Sequence, residues 1–112
     1  MNIKGILVKA GEQPKIVEFE ESLESLQSFV GGYIEMIQLT EDEDVDIVIN
    51  EEGKLLGLDA NRILMRNGQI VDVLVGDLIV VGANPNTGET VSVPEHKIPF
   101  FMDMFSRAVI EI

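Results

Sequence analysis

The segment Ser22 to Leu39 constrains the fold more than any other part of the chain. Ser22 can cap a helix, since its hydroxyl accepts from a free amide of the first turn, and Leu23, Leu26, Phe29 and Val30 recur at the spacing of one helical face. Gly31 and Gly32 then supply the left-handed or extended backbone that stops a helix. Tyr33 to Leu39 follows directly and reads as a strand, with Tyr33, Glu35, Ile37 and Leu39 on one face and Ile34, Met36 and Gln38 on the other. A short amphipathic helix running straight into a strand identifies a fold element, not a reaction.

The flanking sequence extends this reading. Ile3 to Val8 and Lys15 to Phe19 are short runs rich in branched residues. Gly11-Glu-Gln-Pro14 between them is turn chemistry, so the opening reads as a β-hairpin. Glu41 to Asp44 is a charged loop before a strand at Val45 to Ile49. Glu51 to Lys54 is a turn, and Leu55 to Asn61 a loop or a single helical turn. Asn67-Gly68 suits the positive φ angles of a type I′ turn and joins Ile63–Met65 to Ile70–Val75. Asp77 to Val81 reads as a fully buried strand, Asn84 to Gly88 as a loop, and Glu89 to Val93 as its partner strand. Proline is tolerated only in a first helical turn, so a last helix begins between Pro94 and Pro99, placing Phe101, Met104, Phe105 and Ala108 on one face. Val109 to Ile112 is a closing edge strand or a frayed end. The expected architecture is one α+β domain over residues 1–112, with a mixed, mainly antiparallel sheet and two helices. A chain of 112 residues that is 46% apolar can bury such a core.

Composition removes several functions. The chain has no cysteine, which excludes disulfides, thiolate metal sites and a cysteine nucleophile, and suits a cytoplasmic setting. Eight Lys and Arg against 20 Asp and Glu leave a net charge of −12. Phosphate-binding surfaces need clustered cations, so direct nucleic-acid binding and an anionic membrane surface are both disfavoured. The charge serves solubility alone, or it forms a face that fits the basic groove of a protein partner. For the second reading the candidate residues are Glu41, Asp42, Glu43, Asp44 and Asp46.

No catalytic, cofactor or metal site is expected. Asp42, Asp44 and Asp46 alternate like the start of a calcium loop, but Ile47 stands where the turn needs glycine and Gly53 where a bidentate Glu belongs. Gly76 to Gly82 echoes a phosphate loop without the Gly-Lys-Ser/Thr that binds phosphate. His96 is the only histidine, none of the serines at 22, 25, 28, 92 or 106 sits in a Gly-x-Ser-x-Gly elbow, and the adjacent pairs Glu20-Glu21 and Glu51-Glu52 are not thereby acid/base dyads. Asn50 to Arg62 is richer in polar residues than a turn requires. Either Asn50, Glu51, Asn61 and Arg62 hold a small polar or anionic ligand, or the two asparagines tie loop backbone and Arg62 pairs with a nearby acid.

Three stretches together, Leu26-Gln-x-x-Val-Gly-Gly-Tyr-Ile-Glu35, Asn50-Glu-Glu-Gly-Lys-Leu-Leu-Gly-Leu-x-x-Asn-Arg62 and Gly76-x-x-x-x-Val-Gly82, resemble a family of small acidic domains of unknown function encoded by bacterial phages, plasmids and other mobile elements and by their hosts. The resemblance covers roughly residues 1 to 107 and implies a compact α+β domain, a cytoplasmic setting and a place among modules carried near anti-restriction proteins. It transfers no catalytic residue. Asp59-Ala60 stands where prolines are common in the pattern, and the hairpin from Ile63 to Val75 is longer than expected. The resulting expectation is a non-enzymatic interaction protein acting on a protein partner through an acidic surface, including counter-defence. A ligand-binding domain using the 50–62 loop is the alternative, and an uncharacterised enzyme the third.

Overall fold

A computed structural model describes all 112 residues, Met1 to Ile112. Nine strands and two α-helices form an α+β fold: β1 (Asn2–Val8), β2 (Lys15–Glu20), α1 (Leu23–Val30), β3 (Ile34–Ile37), β4 (Val45–Asn50), β5 (Ala60–Arg66), β6 (Gln69–Val75), β7 (Leu78–Ala83), β8 (Thr90–Val91), α2 (Ile98–Phe105) and β9 (Val109–Glu111). The strands divide between two sheets. The larger is antiparallel throughout, in the order β2-β1-β7-β4-β3, with β8 pairing the end of β7. The smaller has the order β6-β5-β9, and its β5–β9 pairing is parallel.

Period-two alternation in the large sheet builds two cores. Ile6, Val8, Val45, Ile47, Leu78 and Val80 point to one face, where Phe101 and Phe105 of α2 and Leu64, Leu74 and Ile110 of the small sheet meet them. On the other face Ile3, Phe19, Val48, Ile79 and Val81 receive Leu26 and Val30 of α1. β7 is therefore covered on both sides, and each residue from Leu78 to Gly82 is buried. Burying Leu26 and Val30 contributes roughly 1.5–3 kcal/mol each to holding α1 down.

The helix signals behave as their chemistry requires. Ser22 Oγ accepts from Ser25 N at 3.1 Å, and Gly31 closes α1 at φ 78°. Leu23, placed on the inward face by spacing, is 57% exposed, so only Leu26 and Val30 of α1 are buried. Phe29 instead meets Phe19 edge-on, with ring centroids 5.0 Å apart. The second helix follows a 3₁₀ turn at Glu95–Lys97 and ends at Phe105. Ala108 thus falls outside it and is exposed, and its carbonyl accepts from Ile63 N in the small sheet. Asn67 and Gly68 turn the β5–β6 hairpin at φ 53° and 79°. No helix is long and apolar enough to cross a membrane.

Candidate functional site

Asn61 and Arg62 are consecutive in a strand yet both buried, at 7% and 4% exposure. A register shift between Ala60 and Arg62 marks a β-bulge, which breaks the alternation and turns both side chains inward. Asn61 Nδ2 donates to the carbonyls of Val8 at 2.9 Å and Gly76 at 2.8 Å. Arg62 Nε and Nη2 donate to the Phe105 carbonyl at the end of α2, at 3.1 and 2.7 Å. Its Nη1 donates to the Asn61 carbonyl and Oδ1, and its Nη2 also reaches the Glu12 carbonyl at 2.7 Å.

Arg62 does not pair with an acid, which corrects that expectation. Its partners are main-chain carbonyls and one amide oxygen, and the carbonyl end of α2 supplies the negative pole that a carboxylate would have supplied. Burial pushes its pKa down from the ordinary value. The five N–H bonds of a guanidinium are matched by five hydrogen bonds, leaving no donor turned to a ligand in this conformation. The cluster joins the first hairpin, the small sheet and α2.

Asn50 works at a different place. Its Nδ2 donates to the Val30 carbonyl at the end of α1, and its Oδ1 accepts from Glu52 N at 2.8 Å. Asn50 and Glu51 line a hollow of about 280 Å³ between β3, the 51–57 turn and β6, together with Glu35, Lys54, Leu55 and Asp72. Asn61 and Arg62 line another, of about 330 Å³, with Gly11 to Gln13 and Ser106. The four residues do not converge on one cavity. Glu51 is exposed, while the other three side chains bind main chain.

The acidic loop is also divided. Lys97 Nζ sits 2.7 Å from Asp42 Oδ2 and 3.1 Å from Asp44 Oδ2, so one cation answers two of the five acids. Asp42 Oδ1 additionally accepts from Asp44 N, folding the loop around the lysine. Glu41 and Glu43 remain exposed, and Asp46 is half-buried on β4. The hydrogen bond from Lys97 holds the Asp42 carboxyl below its ordinary value of 3.8, and the same contact raises Lys97.

A carboxyl with a depressed folded-state pKa stabilises the fold above its unfolded value and loses that contribution as pH falls through the folded value. Lys97→Met removes the cause of the depression. The melting temperature of wild type should exceed that of the variant at about pH 6, and the gap should close towards about pH 2. A gap that persists undiminished in acid would show that the lysine stabilises the fold by some means other than this carboxylate.

Sequence patterning missed a group of exposed apolar side chains. The 51–57 turn is held by Glu52 N to Asn50 Oδ1, Leu56 N to the Glu52 carbonyl at 2.9 Å and Leu58 N to the Gly53 carbonyl at 3.0 Å. It nevertheless leaves Leu55 86% and Leu56 60% exposed, beside Tyr33 at 65%. Tyr33 and Leu56 line one hollow with Glu52, and Leu55 lines its neighbour with Glu35 and Glu51. The available signal was the Leu-Leu pair enclosed by Gly53 and Gly57, where a turn has no core to fill. No curated protein and no solved structure matches the chain. The family profile described as Domain of unknown function (DUF3846) matches residues 3–106, which takes in both helices, the bulged arginine and the exposed turn, and the chain belongs to that family.

Proposed function

We propose that this chain is a non-enzymatic interaction protein whose acidic and apolar patch, centred on the 51–57 turn, engages a basic polypeptide. The observation that carries the reading is the pair Leu55 and Leu56, held in solvent by a hydrogen-bonded turn and bordered by Glu35, Glu51 and Glu52. Isolated exposed leucines are ordinary, but two in sequence beside an exposed tyrosine, on an ordered support, have the make-up of a docking surface. The carboxylates around them select a partner with Lys or Arg at its rim. This patch lies at the opposite end of β3 from the Glu41 to Asp46 loop, whose charge Lys97 partly answers.

A basic groove of a DNA-binding protein has the required chemistry, which keeps counter-defence by a mobile element, within the bacterial cytoplasm, as the biological setting of the proposal. For a partner captured from bacterial extract, association should slow steeply as salt shortens the Debye length from about 10 Å at 0.1 M to about 3 Å at 1 M. The double substitution Leu55→Ser with Leu56→Ser should speed dissociation at least about tenfold and leave the melting temperature nearly unchanged. A partner indifferent to both salt and the double substitution would sink the reading.

A further inference from the structure

Hydrogen-bond parity shows which main-chain groups the large sheet leaves free. Glu51 N donates to the Tyr33 carbonyl at 2.9 Å, and β3 pairs β4 with Glu35 opposite Ile49 and Ile37 opposite Ile47. In an antiparallel ladder bonded and non-bonded pairs alternate. Glu35 and Ile37 therefore spend their N–H and C=O groups on β4, while Ile34 and Met36 direct theirs to the outer edge, where the sheet has no further strand.

The other long edges are defended. In the small sheet Ile63 N donates to the Ala108 carbonyl, so Ile63 bonds towards β9, and Val73 opposite it on β6 turns its amide outward. That amide is taken by Asp72 Oδ1 at 2.8 Å, Asp72 is held by Lys54, and a register shift at Val71 bends the same strand. β2, the opposite edge of the large sheet, carries the charges Lys15, Glu18 and Glu20 along its length. β3 has no bulge, proline or lysine. It presents Ile34 and Met36 on the α1 side and Tyr33 and Glu35 on the other, next to the hollow lined by Glu51 and Asp72.

We propose that β3 is a strand-addition edge that takes an extended segment of a basic partner, pairing main chain to Ile34 and Met36 with Lys or Arg alternating against apolar residues. The cations of the added strand lie along Glu35 and Glu51, and its apolar side chains continue the Ile34 and Met36 face. A second copy of this chain fits poorly, because each carries a charge of −12 and a self-paired β3 brings Glu35 of one copy near its equivalent. The inference rests on the proposed basic partner and specifies how it is held.

The test uses a synthetic peptide of alternating lysine and valine, about eight residues long to match a strand, titrated into the full chain with the backbone amides followed by NMR. Shifts centred on Ile34 to Ile37 are expected. Met36→Pro removes one outward N–H that β4 does not use, and should weaken binding at least about tenfold with the fold retained, as judged by melting. The same loss should follow when the peptide is N-methylated at alternate residues, a change that cannot unfold the protein. Glu35→Lys should also weaken binding, whereas Glu20→Lys should not. Undiminished binding of the N-methylated peptide, or by a folded Met36→Pro variant, overturns strand addition and leaves the acidic-patch reading standing. Loss of binding only in the Leu55→Ser, Leu56→Ser variant does the same. Absence of any binding by the basic peptide overturns both, and concentration-dependent dimers abolished by Met36→Pro would assign the edge to a second copy.

Discussion

Arg62→Ala is expected to lower stability by about 3 kcal/mol and the melting temperature by roughly 12 °C. The substitution strips the donors from the Phe105 carbonyl, which receives two of them, and from the Glu12 carbonyl and Asn61 Oδ1. Buried acceptors left without donors lose roughly 1–3 kcal/mol each, less where water enters, and the hollow beside Gly11 to Gln13 admits some water. Lysine brings three donors from one atom and cannot span carbonyls that arrive from β2's approach loop and the end of α2, so Arg62→Lys should recover only part of the loss. Peptide binding at the Leu55 and Leu56 patch should survive in the folded fraction. A change in melting temperature of less than about 2 °C would mean that solvent already satisfies these carbonyls and that the guanidinium is free to serve a ligand.

Gly82→Ala should cost about 3 kcal/mol, for a reason of space rather than of polarity. A Cβ at Gly82 would overlap the Ser92 carbonyl and approach the Val91 carbonyl oxygen at 3.0 Å, and both are main chain, which cannot rotate out of the way. Displacing Ser92 also strains its hydroxyl's bond from Lys4 N at 2.9 Å and the neighbouring bond from Val93 N to the Lys4 carbonyl at 3.0 Å. Hydrogen exchange should accelerate first at Lys4 and Val93. Wild-type exchange there, together with an unshifted melting curve, would show that the strand can move aside without cost.

The legible parts of the fold are those governed by neighbours in sequence. Ser22 and Gly31 bracket α1, Asn67-Gly68 turns its hairpin, and the prolines at 94 and 99 confine the start of α2, because each acts within a few bonds. The split into two sheets depended on pairings such as Ile63 with Val109, to which no local pattern points. Sequence alone puts Asn61 at the end of a loop because a bulge leaves no trace in a hydrophobic pattern, and it leaves Arg62 to a ligand or an acid because carbonyl partners are invisible in side-chain lettering. Likewise Asp42 and Asp44 looked bare until the fold brought up Lys97 from 53 residues beyond Asp44. Asn50 ties main chain, as one of its two sequence readings has it, but one of its partners, the Val30 carbonyl at the end of α1, is 20 residues away and has no local signal.

The central place of β7 has a consequence for the order of assembly. β1 and β4, both earlier in the chain, each need β7 as a neighbour, so the first hairpin and the β3–β4 pair remain separate ribbons until Leu78–Ala83 emerges. During synthesis their inner edges are open and their apolar faces wet, and closing the sheet then requires two distant joins at once. The nascent chain is most exposed to misassociation in that interval, and its excess of acidic over basic residues, already present in the part made by then, keeps unfinished copies apart during it.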